Sequence, residues 1–74
     1  MRIIVSFNGG GLTINFEDIE EIYNYSNYIR LVGKQLTIVV NGVDICSMGA
    51  VVIQKSWLLT ANEVYFDTRI KEAK

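Results

Sequence analysis

The side chains that most often perform catalysis are scarce in this chain. It contains no histidine and a single cysteine, Cys46, among its 74 residues. Without histidine it lacks Ser-His-Asp and Cys-His machinery, histidine-ligated metals and the commonest general base near neutral pH. Cys46 has no second cysteine or histidine with which to hold zinc. The composition therefore predicts a protein that is not an enzyme, takes no cofactor and has no metal site.

Carboxylates are the other candidate chemistry, and they form one short run: Glu17, Asp18, Glu20 and Glu21. A hard cation such as Ca²⁺ needs about six to eight oxygen ligands from a loop that folds them inward. Here Ile19 interrupts the run, and no Asp-x-Asp-x-Asp-Gly loop appears. We interpret the run as a solvated acidic turn, in which Glu17, Glu20 and Glu21 are candidates for electrostatic contact with a basic partner.

The stretch most typical of a binding surface holds three of the four tyrosines. It consists of Tyr23, Asn24, Tyr25, Ser26, Asn27 and Tyr28. Tyrosine with asparagine and serine is typical of adaptable recognition surfaces, because rigid aromatic area is combined with versatile hydrogen bonding. The alternative is that the tyrosines edge the core while the asparagines form a turn. Trp57 is a second candidate anchor, although a single tryptophan in a small domain is usually part of the core.

The charge balance argues against nucleic acid as a partner. The net charge is −1 and the pI is near 5.2, whereas proteins that follow phosphate backbones normally carry a basic stripe. The basic residues are scattered except in segment 69–74, which we interpret as a solvated, disordered basic tail. No signal peptide is visible, and no apolar stretch approaches the roughly 18 residues of a membrane span. We expect a cytoplasmic protein without a membrane partner.

The elements that must position these residues are best predicted at Asn41-Gly42, which stands between two alternating apolar runs. Asn-Gly is the strongest short-range hairpin signal, because a type I′ turn needs positive φ at both central residues. A two-residue turn also sets the register. It predicts the pairs Val40–Val43, Val39–Asp44, Ile38–Ile45, Thr37–Cys46 and Leu36–Ser47. Cys46 would then lie half-buried on the face away from the core.

A second hairpin is predicted around Asn8-Gly9-Gly10-Gly11. A four-residue loop there pairs Phe7 with Leu12, Val5 with Ile14 and Ile3 with Phe16, and it places all six apolar side chains on one face. The same glycines could be taken for a phosphate cradle. Such cradles lead into a helix and usually bring a lysine or arginine, so we prefer the hairpin.

The remaining segments leave alternatives open. Gly33-Lys34 is a second possible two-residue turn, which would join strands 28–32 and 35–40 into a three-strand meander with the Asn-Gly hairpin. Segment 17–23 fits either a single helical turn or a bend, or else a strand that starts near Ile22. Segments 50–54, 57–59 and 64–66 favour strands, against a capping box at Thr60 and Glu63 that would start a C-terminal helix.

Together these patterns predict one small domain over residues 1–74 that is mostly β, either all-β or β-rich α+β. We expect a barrel or sandwich of about six strands built from antiparallel hairpins. Half of the residues are apolar, and a domain this small has little interior for them. The uncharged strand 50–54 also needs a neighbour, so we predict a homo-oligomer formed by edge pairing or by an apolar sheet face.

The function that these observations favour is a non-catalytic protein–protein interaction module, such as a small accessory or inhibitory protein of a phage or mobile element. The alternative is a structural subunit that only assembles with itself. A third hypothesis is an enzyme that uses aspartate or glutamate as its acid and base, as glycosidases do. At this length there is little room for its substrate cleft.

Overall fold

The computed structural model describes residues 1–67 and 71–72. Within them lie seven strands, one α-helical turn and a 3-10 turn at Asn8–Gly10. In chain order the strands and the α-helical turn are β1 (Arg2–Phe7), β2 (Leu12–Glu17), β3 (Glu21–Asn24), β4 (Tyr28–Val40), β5 (Val43–Gln54), α1 (Lys55–Leu58), β6 (Glu63–Asp67) and β7 (Lys71–Glu72). The strands form one sheet in the order β6-β1-β2-β4-β3-β7, and β5 pairs with the other side of β4. The sheet curls into a half-barrel. The predicted mostly-β class and small antiparallel architecture are confirmed.

The hydrophobic core lies inside the curl and draws on β1 to β5. Its buried members are Ile3, Val5, Phe16, Ile19, Ile22, Ile29, Leu31, Leu36 and Ile53. The first hairpin supplies three of them, and its predicted pairs Ile3–Phe16, Val5–Ile14 and Phe7–Leu12 are all confirmed. Its loop closes with Gly11 at a φ of 62°, a conformation that glycine adopts without steric cost.

The Asn-Gly turn is confirmed, since Asn41 and Gly42 have φ values of 49° and 83°. The turn is also tied to the neighbouring strand β2. The Asn41 Oδ1 accepts a hydrogen bond from the Thr13 N–H at 2.8 Å, and the Asn41 N–H donates to the Thr13 carbonyl at 2.8 Å. The two pairs nearest the turn, Val40–Val43 and Val39–Asp44, are confirmed.

Beyond those two pairs the predicted register is wrong by one residue. Ile45 is an extra residue in β5, so the observed pairs are Ile38–Cys46, Thr37–Ser47 and Leu36–Met48. Such a bulge leaves no mark on the alternation of apolar and polar residues along the sequence, so the sequence pattern does not reveal it. Cys46 consequently lies opposite the core-facing Ile38 and is exposed, rather than half-buried on the other face.

The predicted turn at Gly33-Lys34 is also wrong, because β4 runs through it without reversing. Residues 33–35 stand opposite the single residue Gly49, so β4 carries an irregularity instead of a turn. Glycine is needed at position 33 for a different reason. A Cβ there would lie 2.6 Å from the Asp18 carbonyl oxygen, which is closer than real Cβ atoms come. The Glu20 Oε1 accepts a hydrogen bond from the Lys34 N–H at 2.7 Å and holds the irregular segment.

Segment 17–23 forms a bend followed by a strand, so it contains part of each of the two alternatives. Asp18 has a φ of 60° and reverses the chain, and β3 begins at Glu21. Ile19 is buried in the bend. Two backbone hydrogen bonds between Ile19 and Met1, at 3.0 and 3.1 Å, attach the bend to the start of β1.

The last third of the chain follows the strand prediction in two of its three segments. Segment 50–54 is part of β5 and segment 64–66 is part of β6. Segment 57–59 is not a strand, since Trp57 and Leu58 belong to α1. The Thr60 hydroxyl donates to the Trp57 carbonyl at 2.7 Å and closes this helical turn, so it does not cap a further helix. The predicted disordered tail, 69–74, falls largely outside the described residues, of which 71–72 form β7.

The contact at Gly33 leads to a stability prediction. Gly33→Ala places a methyl group against the backbone of the bend at Asp18, which cannot move without disturbing Ile19 and β3. We expect the free energy of unfolding to fall by about 1–3 kcal/mol, as for other overpacked sites. Chemical denaturation monitored by circular dichroism measures this change.

The matched control is Gly49→Ala on the facing strand. There the nearest atom to a Cβ is the Gly33 carbonyl oxygen at 3.9 Å, which is an ordinary contact. We expect this variant to be as stable as the original chain, or up to about 1 kcal/mol more stable because alanine restricts the unfolded chain. Equal losses at the two positions would contradict the close-approach explanation.

Candidate interaction surfaces

The tyrosine-rich stretch forms the turn between β3 and β4. The Tyr25 N–H donates to the Tyr28 carbonyl at 2.9 Å and leaves Ser26 and Asn27 at the exposed tip. The rings of Tyr25 and Tyr28 are stacked, with centroids 4.6 Å apart and an angle of 22° between their planes. The Asn27 carbonyl accepts a hydrogen bond from the Lys55 N–H at 3.0 Å, which ties the turn to the start of α1.

We call residues 23–28 the tyrosine turn. Its residues outside the exposed tip all have half-buried side chains: Tyr23, Asn24, Tyr25 and Tyr28. Tyr23 stands in the ladder between Arg30 of β4 and Lys71 of β7. The stretch therefore combines the two alternatives raised by its sequence: it is a turn with half-buried tyrosines, and it presents an ordered aromatic pair beside two polar tip residues.

The acidic residues lie at the bend between β2 and β3, and two of them have local structural partners. The Glu17 Oε2 accepts a hydrogen bond from the Asn15 Nδ2 at 3.3 Å, and Glu20 binds the Lys34 N–H as described above. Glu21 begins β3 opposite Val32. A shallow groove of about 400 Å³ runs beside them, lined by Asp18, Ile19, Glu20, Lys34, Gln35 and Thr37. Its lining is of mixed charge.

The two predicted site regions are joined by the four-residue strand β3, to which Glu21, Tyr23 and Asn24 belong. At about 3.3 Å per residue, Glu21 and Tyr23 lie about 7 Å apart on the same face of this strand. Glu20 and Tyr25, at its two ends, lie more than about 10 Å apart. The predicted site is therefore an acidic bend and a tyrosine turn at the two ends of one short strand.

Trp57, the second candidate anchor, is a half-buried side chain that packs against the core. Its ring lies 5.3 Å from that of Phe7, at an interplanar angle of 46°. One side of Trp57 borders an apolar groove of about 310 Å³, whose other lining residues are Phe16, Val51, Val52, Ile53 and Gln54. Trp57 thus belongs to the edge of the core and also faces an open apolar surface.

The outer edge of β5 is a third candidate surface. Over the described residues β5 pairs with β4 on one side only. Every residue of its first five is exposed, and the large apolar side chains Val43, Ile45 and Val52 are 61%, 60% and 53% exposed. Its twelve residues carry one charge, Asp44. In the sequence, the uncharged run 50–54 indicates this edge, but it covers fewer than half of the twelve residues of β5.

A second open edge of the described sheet, β6, is much shorter, and the two-residue strand β7 ends the sheet on the opposite side. β6 pairs with β1 on one side and has five residues, with Glu63 and Asp67 at its two ends. Natural edge strands are commonly short and charged, because these features discourage pairing with another chain. β6 shows both features, whereas β5 is long, apolar and almost uncharged.

The described residues contain no group of three or more histidine, cysteine, aspartate or glutamate side chains that could hold a metal ion. Among the same residues, no helix has the length and apolar character needed to cross a membrane. Comparison with family models, curated proteins and solved structures yields no match for this chain.

The stacked pair in the tyrosine turn predicts energetic coupling between Tyr25 and Tyr28. Aromatic pairs in this geometry contribute about 0.5–1.5 kcal/mol beyond the area that they bury. A double-mutant cycle with Tyr25→Ala, Tyr28→Ala and the double variant should give a coupling energy in that range, measured by chemical denaturation.

The control cycle combines Tyr25→Ala with Tyr65→Ala, since Tyr65 lies on β6 at the other end of the sheet. Distant sites usually add within about 0.5 kcal/mol. If the Tyr25–Tyr28 cycle is as additive as the control, the two rings do not stabilise the turn through each other.

Proposed function

We propose that the protein is a non-catalytic protein–protein interaction module that binds its partner by strand addition to the outer edge of β5. The observation that carries this proposal is the combination found in β5: twelve residues, a free outer edge, three exposed large apolar side chains and a single charge. In strand addition, main-chain hydrogen bonds supply affinity and alternate side chains supply specificity.

The energetics of the edge support the same proposal. An unpaired strand edge presents a row of N–H and C=O groups that can extend the sheet. Burying all of the exposed parts of Val43, Ile45 and Val52 contributes on the order of 3–5 kcal/mol, at about 1.5–3 kcal/mol for each fully exposed side chain of this size. The apolar groove beside Trp57 is continuous with this edge through Val51, Val52 and Ile53.

A structural subunit that only assembles with itself is the second candidate function. It is favoured by the presence of open edges at different places in the described sheet, among them β5 and β6. Pairing of β5 on one copy with β6 on the next is a head-to-tail contact, and such contacts generate rings or filaments. The charges at both ends of β6 disfavour it, because Asp44 on β5 adds no compensating positive charge.

The proposal predicts that a charge at Val52, near the C-terminal end of the β5 edge, strongly weakens binding. Val52→Lys places an ammonium group where an added strand would bury an apolar side chain. We expect at least a tenfold loss of association, whether this is measured as capture of a stoichiometric partner or as self-association by light scattering. The fold should be retained, because Val52 is more than half exposed.

Tyr65→Lys is the matched control, since Tyr65 on β6 is 51% exposed and receives the same charge. It should leave binding unchanged. Loss of binding in both variants would favour the head-to-tail assembly. Unchanged binding in the Val52→Lys variant would overturn the proposal that the β5 edge is the binding surface.

A further inference from the structure

We infer that Asn8 is a site of spontaneous deamidation in the folded protein, whereas Asn41, which carries the same chemistry, is protected. Asparagine is followed by glycine at these two positions, and the other asparagines precede phenylalanine, tyrosine or glutamate. The site lies in the loop between β1 and β2, so the inference is independent of the function proposed for β5. The fold treats two identical dipeptides differently.

Asparagine before glycine reacts because the nitrogen of the next residue can attack the side-chain amide. The glycine N–H loses its proton to hydroxide, and the nitrogen then bonds to the asparagine Cγ. The amide takes up a proton from water, the Cγ–Nδ2 bond breaks and ammonia leaves, so that a five-membered succinimide ring remains. Water opens the ring at one of its two carbonyl groups, which yields aspartate or isoaspartate. Glycine favours the attack because it has no Cβ to obstruct the approach.

The ring closes only when the glycine nitrogen and the asparagine Cβ lie on the same side of the asparagine Cα–C bond. The ψ angle of the asparagine sets this position. Neither Asn8 nor Asn41 has the required ψ in the folded chain, so the rate at each site depends on the cost of rotating this bond. Local opening of this kind costs least where few contacts hold the chain.

Asn41 is held far from the reactive geometry. Asn41 and Gly42 have φ values of 49° and 83°, as in a type I′ turn, in which ψ of the first central residue is about +30°. This ψ turns the Gly42 nitrogen almost to the opposite side of the Cα–C bond from the Asn41 Cβ. The Asn41 Oδ1 is also fixed, since it accepts a hydrogen bond from the Thr13 N–H at 2.8 Å. Rotation breaks this bond, the second bond to Thr13 and the adjoining pair Val40–Val43.

Asn8 is held much less firmly. It begins the 3-10 turn Asn8–Gly10, in which ψ is about −20 to −30°, so a smaller rotation brings the Gly9 nitrogen beside the Asn8 Cβ. The Asn8 carbonyl accepts one long hydrogen bond, from the Gly11 N–H at 3.3 Å. The Asn62 Oδ1 accepts a hydrogen bond from the Asn8 N–H at 2.6 Å, but that bond lies on the other side of the Asn8 Cα. The Asn8 side chain is exposed and makes no hydrogen bond to the described residues.

The loop around Asn8 has room for the reaction and for its products. A Cβ added at Gly9 or Gly10 would meet no atom within 4 Å. Aspartate keeps the backbone unchanged and adds one negative charge, whereas isoaspartate also lengthens the main chain by one carbon. The glycine-rich loop accommodates this because glycine is conformationally permissive. The same open space surrounds Gly42, but lengthening the chain at Asn41 would disrupt the two-residue turn that starts β5.

Peptide mapping by mass spectrometry tests this inference with both sites in the same sample. The folded chain is incubated at mildly alkaline pH, because hydroxide starts the reaction, and the converted fraction of each asparagine is followed with time. Conversion is measured as the mass gained when the amide nitrogen is replaced by oxygen. We expect Asn8 to convert at least about tenfold faster than Asn41, the factor that two ordinary hydrogen bonds to Thr13 provide.

The matched control is the same chain denatured in guanidinium chloride, which removes the fold and leaves both Asn-Gly pairs in place. There the two rates should converge, because conversion at Asn41 accelerates far more than conversion at Asn8. The variant Asn8→Gln provides a second control. Its longer side chain would have to close a six-membered ring, so the folded variant should lose most of the mass gain seen in the intact folded chain.

Preferential conversion of Asn8 in the folded chain that disappears on denaturation supports the inference. Conversion of Asn41 at an equal or higher rate in the folded chain would overturn it. So would the absence of conversion at Asn8 under conditions in which the denatured chain reacts. A preference for Asn8 that persists in guanidinium chloride would also overturn it, because the local sequence and not the fold would then be the cause.

Discussion

The close approach of Gly33 to the Asp18 carbonyl is the constraint on which the rest of the structure depends. It lets the bend at Asp18 lie directly against β4, and the irregularity that it creates divides β4 into two halves with different neighbours. Residues 29–32 pair with β3 and residues 37–40 pair with β2. The sheet curls because β4 pairs with two strands, β2 and β3, on the same side.

The exposed edge is a consequence of the same arrangement. β2 and β3 share one side of β4, so its other side is left to β5 along the whole length of the hairpin. The core needs little from β5, of which Ile53 is the buried residue. A long strand is thus held by a single ladder, and its apolar residues near the Asn-Gly turn are not covered by any described part of the chain.

Local turn chemistry explains what could be predicted from the sequence. Asn41-Gly42 and the loop after Asn8 encode their own backbone conformations, so both hairpins and the register of the first were predictable. The bulge at Ile45 was not, because alternation of apolar and polar residues looks the same with or without it. Gly33 was misassigned to a turn, since its true reason is a contact with Asp18, which lies far away along the chain.

The candidate site was predictable to the same extent. The tyrosine stretch was correctly recognised as a possible turn, because Asn and Ser near tyrosine favour one. Its position relative to the acidic residues depends on the short strand β3, which was only one of the alternatives for segment 17–23. The β5 edge becomes recognisable only when the order of the strands is known, because an unpaired edge is a property of the sheet and not of the segment.

Hydrogen exchange at individual backbone amides, followed at increasing protein concentration, tests the central claim most directly. The account predicts that exchange slows with increasing protein concentration at the amides on the unpaired edge of β5, while the amides of β6 and of the tyrosine turn keep their exchange rates. Concentration-dependent protection at β6 or at the tyrosine turn, with β5 unchanged, would contradict it.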